Sequence, residues 1–303
     1  MRPGPLLSDR WIMNRTVCTV ALISLAFCCL ALAGPSTDGE STPLARLFGM
    51  GPAENFTIRS ETLERDFHVY IRLPREYAES ECDWPVVYML DGGILFPMLA
   101  PLHLMMEIDD LAPPAVLVGI SYGGLGYANG NMRSTDYTAP APEPDYYGGA
   151  DAYQRFLSEE LIPKINRDYR VDHDRSLVLG QSLGGQFTLY TALTRPDLFG
   201  AYLSINPALH RNVEFFIELE PAARQDPTPL LITRASEDRE PFRNALDQWL
   251  EHWRGREAGS LALSVQGLED EHHASSAPAA YRQAMAWWAA AGGDTCSGSL
   301  GSD

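Results

Sequence analysis

The stretch Gly180-Gln181-Ser182-Leu183-Gly184 places a serine between two glycines, after one apolar run and before another. The pattern G-x-S-x-G presents a nucleophilic serine on a sharp turn from a strand into a helix. In such a turn, side chains at Gly180 and Gly184 would collide with neighbouring backbone, so we expect glycine to be required at both positions. The pattern therefore predicts Ser182 as a nucleophile. The plainer interpretation is that small residues allow a strand and a helix to pack closely.

A serine hydroxyl needs a base to react, and four histidines follow Ser182 in the sequence. The base is expected in the loop after the last strand, where His272 and His273 stand together. We predict His273 as the base and His272 as a residue on the rim of the substrate pocket. His210 lies in an earlier loop and His252 inside an amphipathic helix, so neither has the expected position.

The acid that orients the imidazole is expected just after the strand before the last one. The segment RASEDREPF stands there, and its spacing favours Asp238, with Glu237 as the alternative. Backbone amides must also stabilise the oxyanion of the tetrahedral intermediate. We expect the amide of Leu183, the residue after the nucleophile, and that of Gly93 or Ile94 in the loop after the third strand. An ordinary glycine turn is the alternative at that loop.

Alternating apolar runs predict the elements that position these residues. Eight strands are expected and the later ones alternate with helices, which indicates a mostly parallel sheet with helices on both faces. The strands are predicted at 55–63, 66–74, 85–91, 115–122, 176–179, 201–205, 229–235 and 261–266. The helices are predicted at 96–109, 151–169, 184–193, 213–219, 241–253 and 277–291. Residues 123–150 are rich in Gly, Pro and Tyr and have no clear period, which is typical of a functional or disordered loop.

The N-terminal part of the chain has the pattern of a secretory signal. An apolar run follows Arg10 and Arg15 and ends in Ala31-Leu32-Ala33, which is typical of a cleavage site. We expect residues 1–33 to be a signal peptide, 34–54 a flexible lead-in, 55–291 a single catalytic domain and 292–303 a C-terminal tail. The mature protein would then be periplasmic or extracellular, with no stable membrane partner. A transmembrane anchor is the alternative.

The net charge and the positions of the cysteines limit the partners and the cellular compartment that the protein is expected to have. The formal net charge of −17 argues against nucleic acid or an anionic membrane as the main partner. Three of the five cysteines lie in the predicted signal, which leaves Cys82 and Cys296 as an even pair in an oxidising compartment. We predict a disulfide between them, with two unpaired thiols as the alternative. No metal or organic cofactor is expected, because no Cys/His cluster has ligand spacing and no glycine loop fits a phosphate.

Four segments resemble a known family: VVYMLDGG, AVLVGISYG with RSTDYT downstream, FLSEELIPKINRDYRVDHDRSLVLGQSLGGQFTLY, and EDEHHASSAPAAYRQAMAWW. They look like the esterase family of α/β hydrolases, which includes esterase D-like enzymes and enterobactin-type siderophore esterases. The resemblance covers about residues 55–291. It implies the α/β-hydrolase fold and a serine hydrolase that cleaves a small-molecule carboxylic ester with Ser182 as nucleophile. The family's E-x-H-x-S run falls on Glu271, His273 and Ser275, which favours His273 as the base.

Other family positions are less decisive. The R-x-x-D-Y pattern falls on Arg133, Asp136 and Tyr137, which either line the substrate pocket or form a salt-bridged structural turn. The segment NPALHRN stands where siderophore esterases tend to carry aromatic residues, and the acidic chain departs from the basic pocket that anionic siderophores favour, although Arg133 and Arg211 could be local exceptions. We therefore predict an ester hydrolase without assigning a siderophore. The alternatives are an acyltransferase resembling secreted mycolyltransferases, and a non-catalytic binding module, which would often lose the serine or the histidine kept here.

Overall fold

The computed structural model describes residues 48–124, 126–254 and 261–290. Its strands are β1 (Ala53–Ser60), β2 (Arg65–Arg72), β3 (Trp84–Met89), β4 (Val116–Ser121), β5 (Val171–Gln181), β6 (Ala201–Ile205), β7 (Thr228–Ala235) and β8 (Leu261–Leu268). Its α-helices are α1 (Gly92–Ile108), α2 (Arg133–Asp136), α3 (Ala150–Phe156), α4 (Ile162–Asp168), α5 (Leu183–Thr194), α6 (Val213–Glu218), α7 (Glu240–Trp253) and α8 (Ala277–Ala290). The predicted signal peptide and the predicted tail lie outside the described residues.

All eight strands form one sheet in the order β1-β2-β4-β3-β5-β6-β7-β8. The strand pairs β1–β2 and β2–β4 are antiparallel, and every other pair is parallel. The predicted mostly parallel sheet with helices on both faces is therefore confirmed, and it is the sheet of an α/β hydrolase. Because β3, β5, β6, β7 and β8 run in parallel, the residues that follow these strands meet at one edge of the sheet.

The central strands are apolar because the sheet is covered on both faces. Every residue of β3, β4 and β6 is buried. In β3, Val86 and Tyr88 belong to one apolar cluster, whereas Val87 and Met89 belong to a second. This alternation follows the two-residue period of a strand and places one core on each face of the sheet.

Several element bounds differ from the sequence expectations. Strand β1 begins at Ala53, inside the predicted lead-in, and β5 begins at Val171, five residues before the predicted strand. Helix α1 begins at Gly92 rather than at residue 96, so no loop separates it from the turn after β3. The helix predicted at 151–169 contains a π-helical segment, Leu157–Leu161, just before Pro163, which lacks the amide hydrogen of a regular helix.

The stretch 123–150 contains more structure than its composition indicates. A 3₁₀ turn at Tyr127–Asn129 and the short helix α2 interrupt it. In the described part of the chain, no helix is long and apolar enough to cross a membrane.

Candidate active site

Ser182 is the single residue between β5 and α5, and it has a strained backbone conformation with φ 60° and ψ −114°. A Cβ on Gly180 would lie 2.3 Å from the carbonyl oxygen of Gly184, so the predicted requirement for glycine is confirmed there. The same prediction is wrong for Gly184, where a Cβ would meet the Asp91 carboxylate at an ordinary 3.5 Å. The second constrained position is Gly185, whose Cβ would lie 2.7 Å from the Ile205 carbonyl oxygen, because β6 lies beside this turn.

The side chains of Ser182, His273 and Asp238 form one hydrogen-bonded chain. Nε2 of His273 lies 2.8 Å from Oγ of Ser182, and Nδ1 lies 2.7 Å from Oδ2 of Asp238. An ionised carboxylate can only accept, so the Nδ1–H of His273 donates to Asp238, which leaves the Nε2 lone pair facing the serine hydroxyl. This arrangement can remove a proton from the hydroxyl and stabilise the resulting imidazolium.

The neighbours of these residues distinguish the two candidate acids and the two candidate bases. Asp238 is buried, and its second oxygen accepts the Arg239 amide at 2.6 Å. The Glu237 side chain is exposed, and its backbone amide donates to the Glu271 carbonyl in the histidine loop. His272 is exposed as well. Geometry therefore favours Asp238 over Glu237 as the partner of the imidazole and His273 over His272 as the partner of the serine.

Two side-chain amides hold the backbone of the histidine loop. Nδ2 of Asn206 donates to the His273 carbonyl at 3.3 Å and to Oγ of Ser276 at 2.6 Å, while its Oδ1 accepts the Ala235 amide at 2.9 Å. The Gln181 side chain donates to the same His273 carbonyl. Asn206 thus joins the ends of β6 and β7 to the base. Sequence reasoning missed it, although an asparagine directly after a strand is suited to the left-handed conformation found here (φ 42°).

The predicted oxyanion donors lie at the first turns of two helices. Leu183 is the first residue of α5 and Gly93 the second residue of α1, so neither amide has a carbonyl acceptor within its own helix. The amide of Ile94 already donates to the Asp91 carbonyl at 2.8 Å. Of the two alternatives at this turn, geometry thus favours Gly93. It belongs to the helix itself and not to a preceding loop.

Two of the R-x-x-D-Y residues, Arg133 and Asp136, form ion pairs. Arg133 binds Asp91 through Nε at 2.8 Å and Nη2 at 2.7 Å. Asp136 is buried and accepts from Arg65 at 2.8 Å and from the Tyr122 hydroxyl at 2.9 Å. Tyr137 is wholly buried, so the prediction that its side chain lines the substrate pocket is wrong. The alternative of a salt-bridged structural turn describes these residues better.

His210 borders the site, although its loop position argued against it as the base. Its ring packs against Phe242 at a tilt of 45° with centroids 4.2 Å apart, and the Phe242 centroid lies 4.4 Å from that of His273. Burial, aided by Arg211 and His273, lowers the pKa of His210 below its ordinary value. Within the described residues, its Nδ1 is buried without a hydrogen-bond partner. No local pattern in the sequence predicts this placement, because it depends on how the loop after β6 packs against α7.

The remaining sequence expectations concern cysteine and metal. Cys82 is disulfide-bonded, and its predicted partner Cys296 lies outside the described residues. Among the residues that the structure describes, no group of three or more His, Cys, Asp or Glu side chains could hold a metal ion.

The fold and the hydrogen-bonded side chains of Ser182, His273 and Asp238 define an α/β hydrolase. The model of a protein family described as "Putative esterase" matches residues 60–287. The chain therefore belongs to this esterase family and is a carboxylic-ester hydrolase, as its sequence predicts. Among relatives, the ferri-bacillibactin esterase BesA of Bacillus subtilis is 32% identical over 60% of this chain and 68% of its own length. A siderophore triacetylfusarinine C esterase of Aspergillus fumigatus is 27% identical over 61% and 68%.

Solved structures share the fold. The BES protein from Bacillus cereus superposes with a TM-score of 0.66 at 22% identity, over 78% of this chain and 95% of that one. The siderophore hydrolase EstB from Aspergillus nidulans gives a TM-score of 0.68 at 20% identity, over 78% and 93%. These likenesses support the fold assignment.

Proposed function

We propose that this esterase works through an acyl-enzyme formed on Ser182, with His273 as base and Asp238 as the acid that orients it. The observation that carries the proposal is the hydrogen-bonded chain from Ser182 Oγ through the imidazole to the Asp238 carboxylate, with both contacts under 3 Å. The strained backbone of Ser182 supports it, because such conformations cluster at active sites.

The proposed reaction has two proton-transfer cycles. His273 Nε2 takes the serine proton as Oγ attacks the ester carbonyl, and it returns this proton to the leaving alcohol. The same nitrogen then takes a proton from a water molecule that attacks the acyl-enzyme, and it gives this proton to Oγ of Ser182 as the bond to the acyl carbon breaks and the acid is released. Asp238 stabilises the imidazolium in both cycles. The amides of Leu183 and Gly93 are the proposed donors to the oxyanion.

Hydrolysis of p-nitrophenyl esters by wild type and by Ser182→Ala tests the nucleophile. We expect the variant to lose at least about 10³-fold in kcat, as when a catalytic nucleophile is removed. Mass spectrometry after rapid quenching should show an acyl adduct on the wild type and none on the variant. Equal rates for both proteins would exclude Ser182 as nucleophile.

An added sugar acceptor separates hydrolysis from acyl transfer, since predominant transfer in water would favour a mycolyltransferase-like enzyme.

The adjacent histidines provide a matched pair for testing the base. His273→Ala should lose most of the activity, because its ring contacts Ser182, whereas His272→Ala should keep most of it, because that side chain is exposed. The reverse order of effects would assign the base to His272.

An ester siderophore is the first natural substrate to test, because one relative is named as a siderophore triacetylfusarinine C esterase and another as a ferri-bacillibactin esterase. Local charge adds support despite the net charge of −17. Arg211 directly follows His210, and the Arg239 guanidinium lies 4.9 Å from the centroid of the Phe242 ring, so two exposed arginines flank the site. Hydrolysis of a ferric trilactone siderophore, followed by chromatography of the released acid, tests this substrate. Unchanged siderophore alongside active cleavage of simple esters would exclude it.

We also propose that the protein is exported after removal of residues 1–33. The charged and apolar pattern of this segment supports the proposal. N-terminal sequencing of protein from the periplasm or medium should find Gly34 as the first residue. An intact N-terminus in the membrane fraction would favour the anchor instead.

A further inference from the structure

A cleft of about 220 Å³ opens at the carboxyl ends of β3 and β4. Its lining includes Tyr70, Gly93, Ile94, Ser121, Tyr122 and Asn131. The predicted functional residues on its wall are Gly93 and Ile94, both of which belong to the first turn of α1. The cleft therefore contains the turn that carries the proposed oxyanion donor.

The cleft lies beside the nucleophile in the sheet. The local strand order is β4-β3-β5, and Ser182 directly follows β5. Adjacent strands are separated by about 4.8 Å, so the ends of β3 and β4 lie about 5 and 10 Å from the end of β5. The short distance between the cleft wall and the serine turn supports this placement. Asp91, on the cleft wall, holds its carboxylate 3.5 Å from the position of a Cβ on Gly184, within the serine turn.

The imidazole lies on the other side of the nucleophile. Asp238 follows β7 and His273 follows β8, whereas the cleft follows β3 and β4 on the opposite side of β5. The leaving alcohol must lie near Nε2 of His273, because this nitrogen gives it a proton. An acyl half that extends away from the imidazole would pass Gly93 and enter the cleft.

We propose that this cleft is the acyl subsite of the enzyme and that it takes the part of the acyl group next to the ester carbonyl, which must be compact and uncharged, either short or the size of one ring. The inference rests on the proposed function, because it assumes acyl transfer to Ser182. The volume sets the upper limit: a cavity of about 150 Å³ accommodates benzene, so about 220 Å³ holds a ring and excludes a long chain.

Three polar side chains of the cleft are already engaged, which explains the preference for an uncharged group. The Tyr122 hydroxyl donates to Asp136 at 2.9 Å, and the Asp91 carboxylate is neutralised by Arg133. The Asn131 side chain donates to the Gly124 carbonyl at 3.0 Å. An entering group therefore meets aromatic rings and the Ile94 side chain, and a buried carboxylate on the substrate would find no free cation there among the described lining residues.

Two isoleucines on α1 provide a matched test of the subsite. Ile94 lines the cleft, and Ile108 lies at the other end of the same helix, about 21 Å away at 1.5 Å per residue. Their exposed fractions are 55% and 53%, so truncation of either should leave folding intact. The assay measures kcat/KM for p-nitrophenyl acetate, butanoate, benzoate and octanoate with Ile94→Ala, Ile94→Trp and Ile108→Ala.

Ile94→Ala should raise the octanoate-to-butanoate ratio of kcat/KM at least about five-fold, because it lengthens the cleft. Ile94→Trp should lower benzoate hydrolysis about ten-fold relative to acetate, and Ile108→Ala should leave both ratios unchanged. A second series varies the alcohol at constant butanoyl. Unchanged acyl ratios in both Ile94 variants, or changes confined to the alcohol series, would overturn the subsite. Full activity of Ser182→Ala would instead overturn the proposed function, so the two failures are distinguishable.

Discussion

Replacing Asn206 with aspartate should separate the positioning of the base from its chemistry. The wild-type side chain is buried, and its Nδ2 donates to the His273 carbonyl and to Ser276 Oγ. The variant keeps the size of the side chain and the Oδ1 acceptor for the Ala235 amide, but an oxygen replaces the donor. The Ser276 hydroxyl can turn to donate to this oxygen. The His273 carbonyl cannot, so two oxygens face each other at about 3.3 Å.

The size of the effect follows from this contact. Leaving a buried acceptor without its donor costs about 1–3 kcal/mol, and the remaining donor, Gln181, limits the loss to the lower part of that range. The loop can relieve the repulsion by moving the imidazole away from Ser182. A displacement of about 1 Å at a catalytic group costs about 10²-fold, so we expect kcat to fall 10- to 100-fold. KM should stay within about two-fold, because Asn206 does not line the acyl cleft.

Asn212→Asp is the matched control for this experiment. Asn212 is equally buried, and its Nδ2 donates to the Ala139 and Pro140 carbonyls instead of the histidine loop. Steady-state kinetics and thermal unfolding should be measured for both variants. We expect both to lose stability and only Asn206→Asp to lose kcat selectively. A folded Asn206→Asp variant with wild-type kcat, or equal losses of kcat in both variants, would refute the reasoning.

Three further predictions concern the acid, the serine turn and pH. Asp238→Asn should lower kcat by about 10³- to 10⁴-fold, whereas Glu237→Gln should stay within about three-fold, and similar losses in both would contradict the assignment. Gly180→Ala should destabilise the fold by about 1–3 kcal/mol in chemical denaturation, because its Cβ would lie 2.3 Å from a carbonyl oxygen; Gly184→Ala, with a 3.5 Å contact, should not, and equal stabilities would refute this. Because burial lowers the pKa of His210, the folded protein favours its neutral ring, and this stability is lost as pH falls from about 6.5 through the folded-state pKa. His210→Gln should therefore lessen the fall in Tm between pH 7 and pH 5, and a slope unchanged from that of a His272→Gln control would contradict it.

Much of the fold could be predicted from the sequence, because its signals are local. Apolar runs such as those in β3 and β4 are buried on both faces and are therefore continuous in the sequence. The residues at which helices and strands begin were less predictable where the local sequence has only a weak conformational preference. Gly92 and Gly93 suggest a loop, yet they form the first turn of α1, because the αL conformation of Asp91 starts the helix directly after β3.

The candidate site could be predicted in its order along the chain but only partly in its contacts. Glycines around Ser182 and two adjacent histidines before the last helix are visible in the sequence. The roles of Asn206 and His210 were not, because each acts on residues more than 30 positions away. Tyr137 was misassigned because its burial depends on helices α3 and α5, whose aromatic residues Tyr153 and Phe187 pack against it.

The sequence by itself determined the strand-turn-helix around Ser182 and the order of nucleophile, acid and base, because backbone geometry and apolar periodicity act over a few neighbouring residues. Only the tertiary structure decided which carboxylate contacts the imidazole and which glycine meets another strand. It also decided which amide holds the base and which side of the nucleophile opens into a cleft. These depend on which strands become neighbours in the sheet, and the free energy that selects this pairing comes from burying both cores at once.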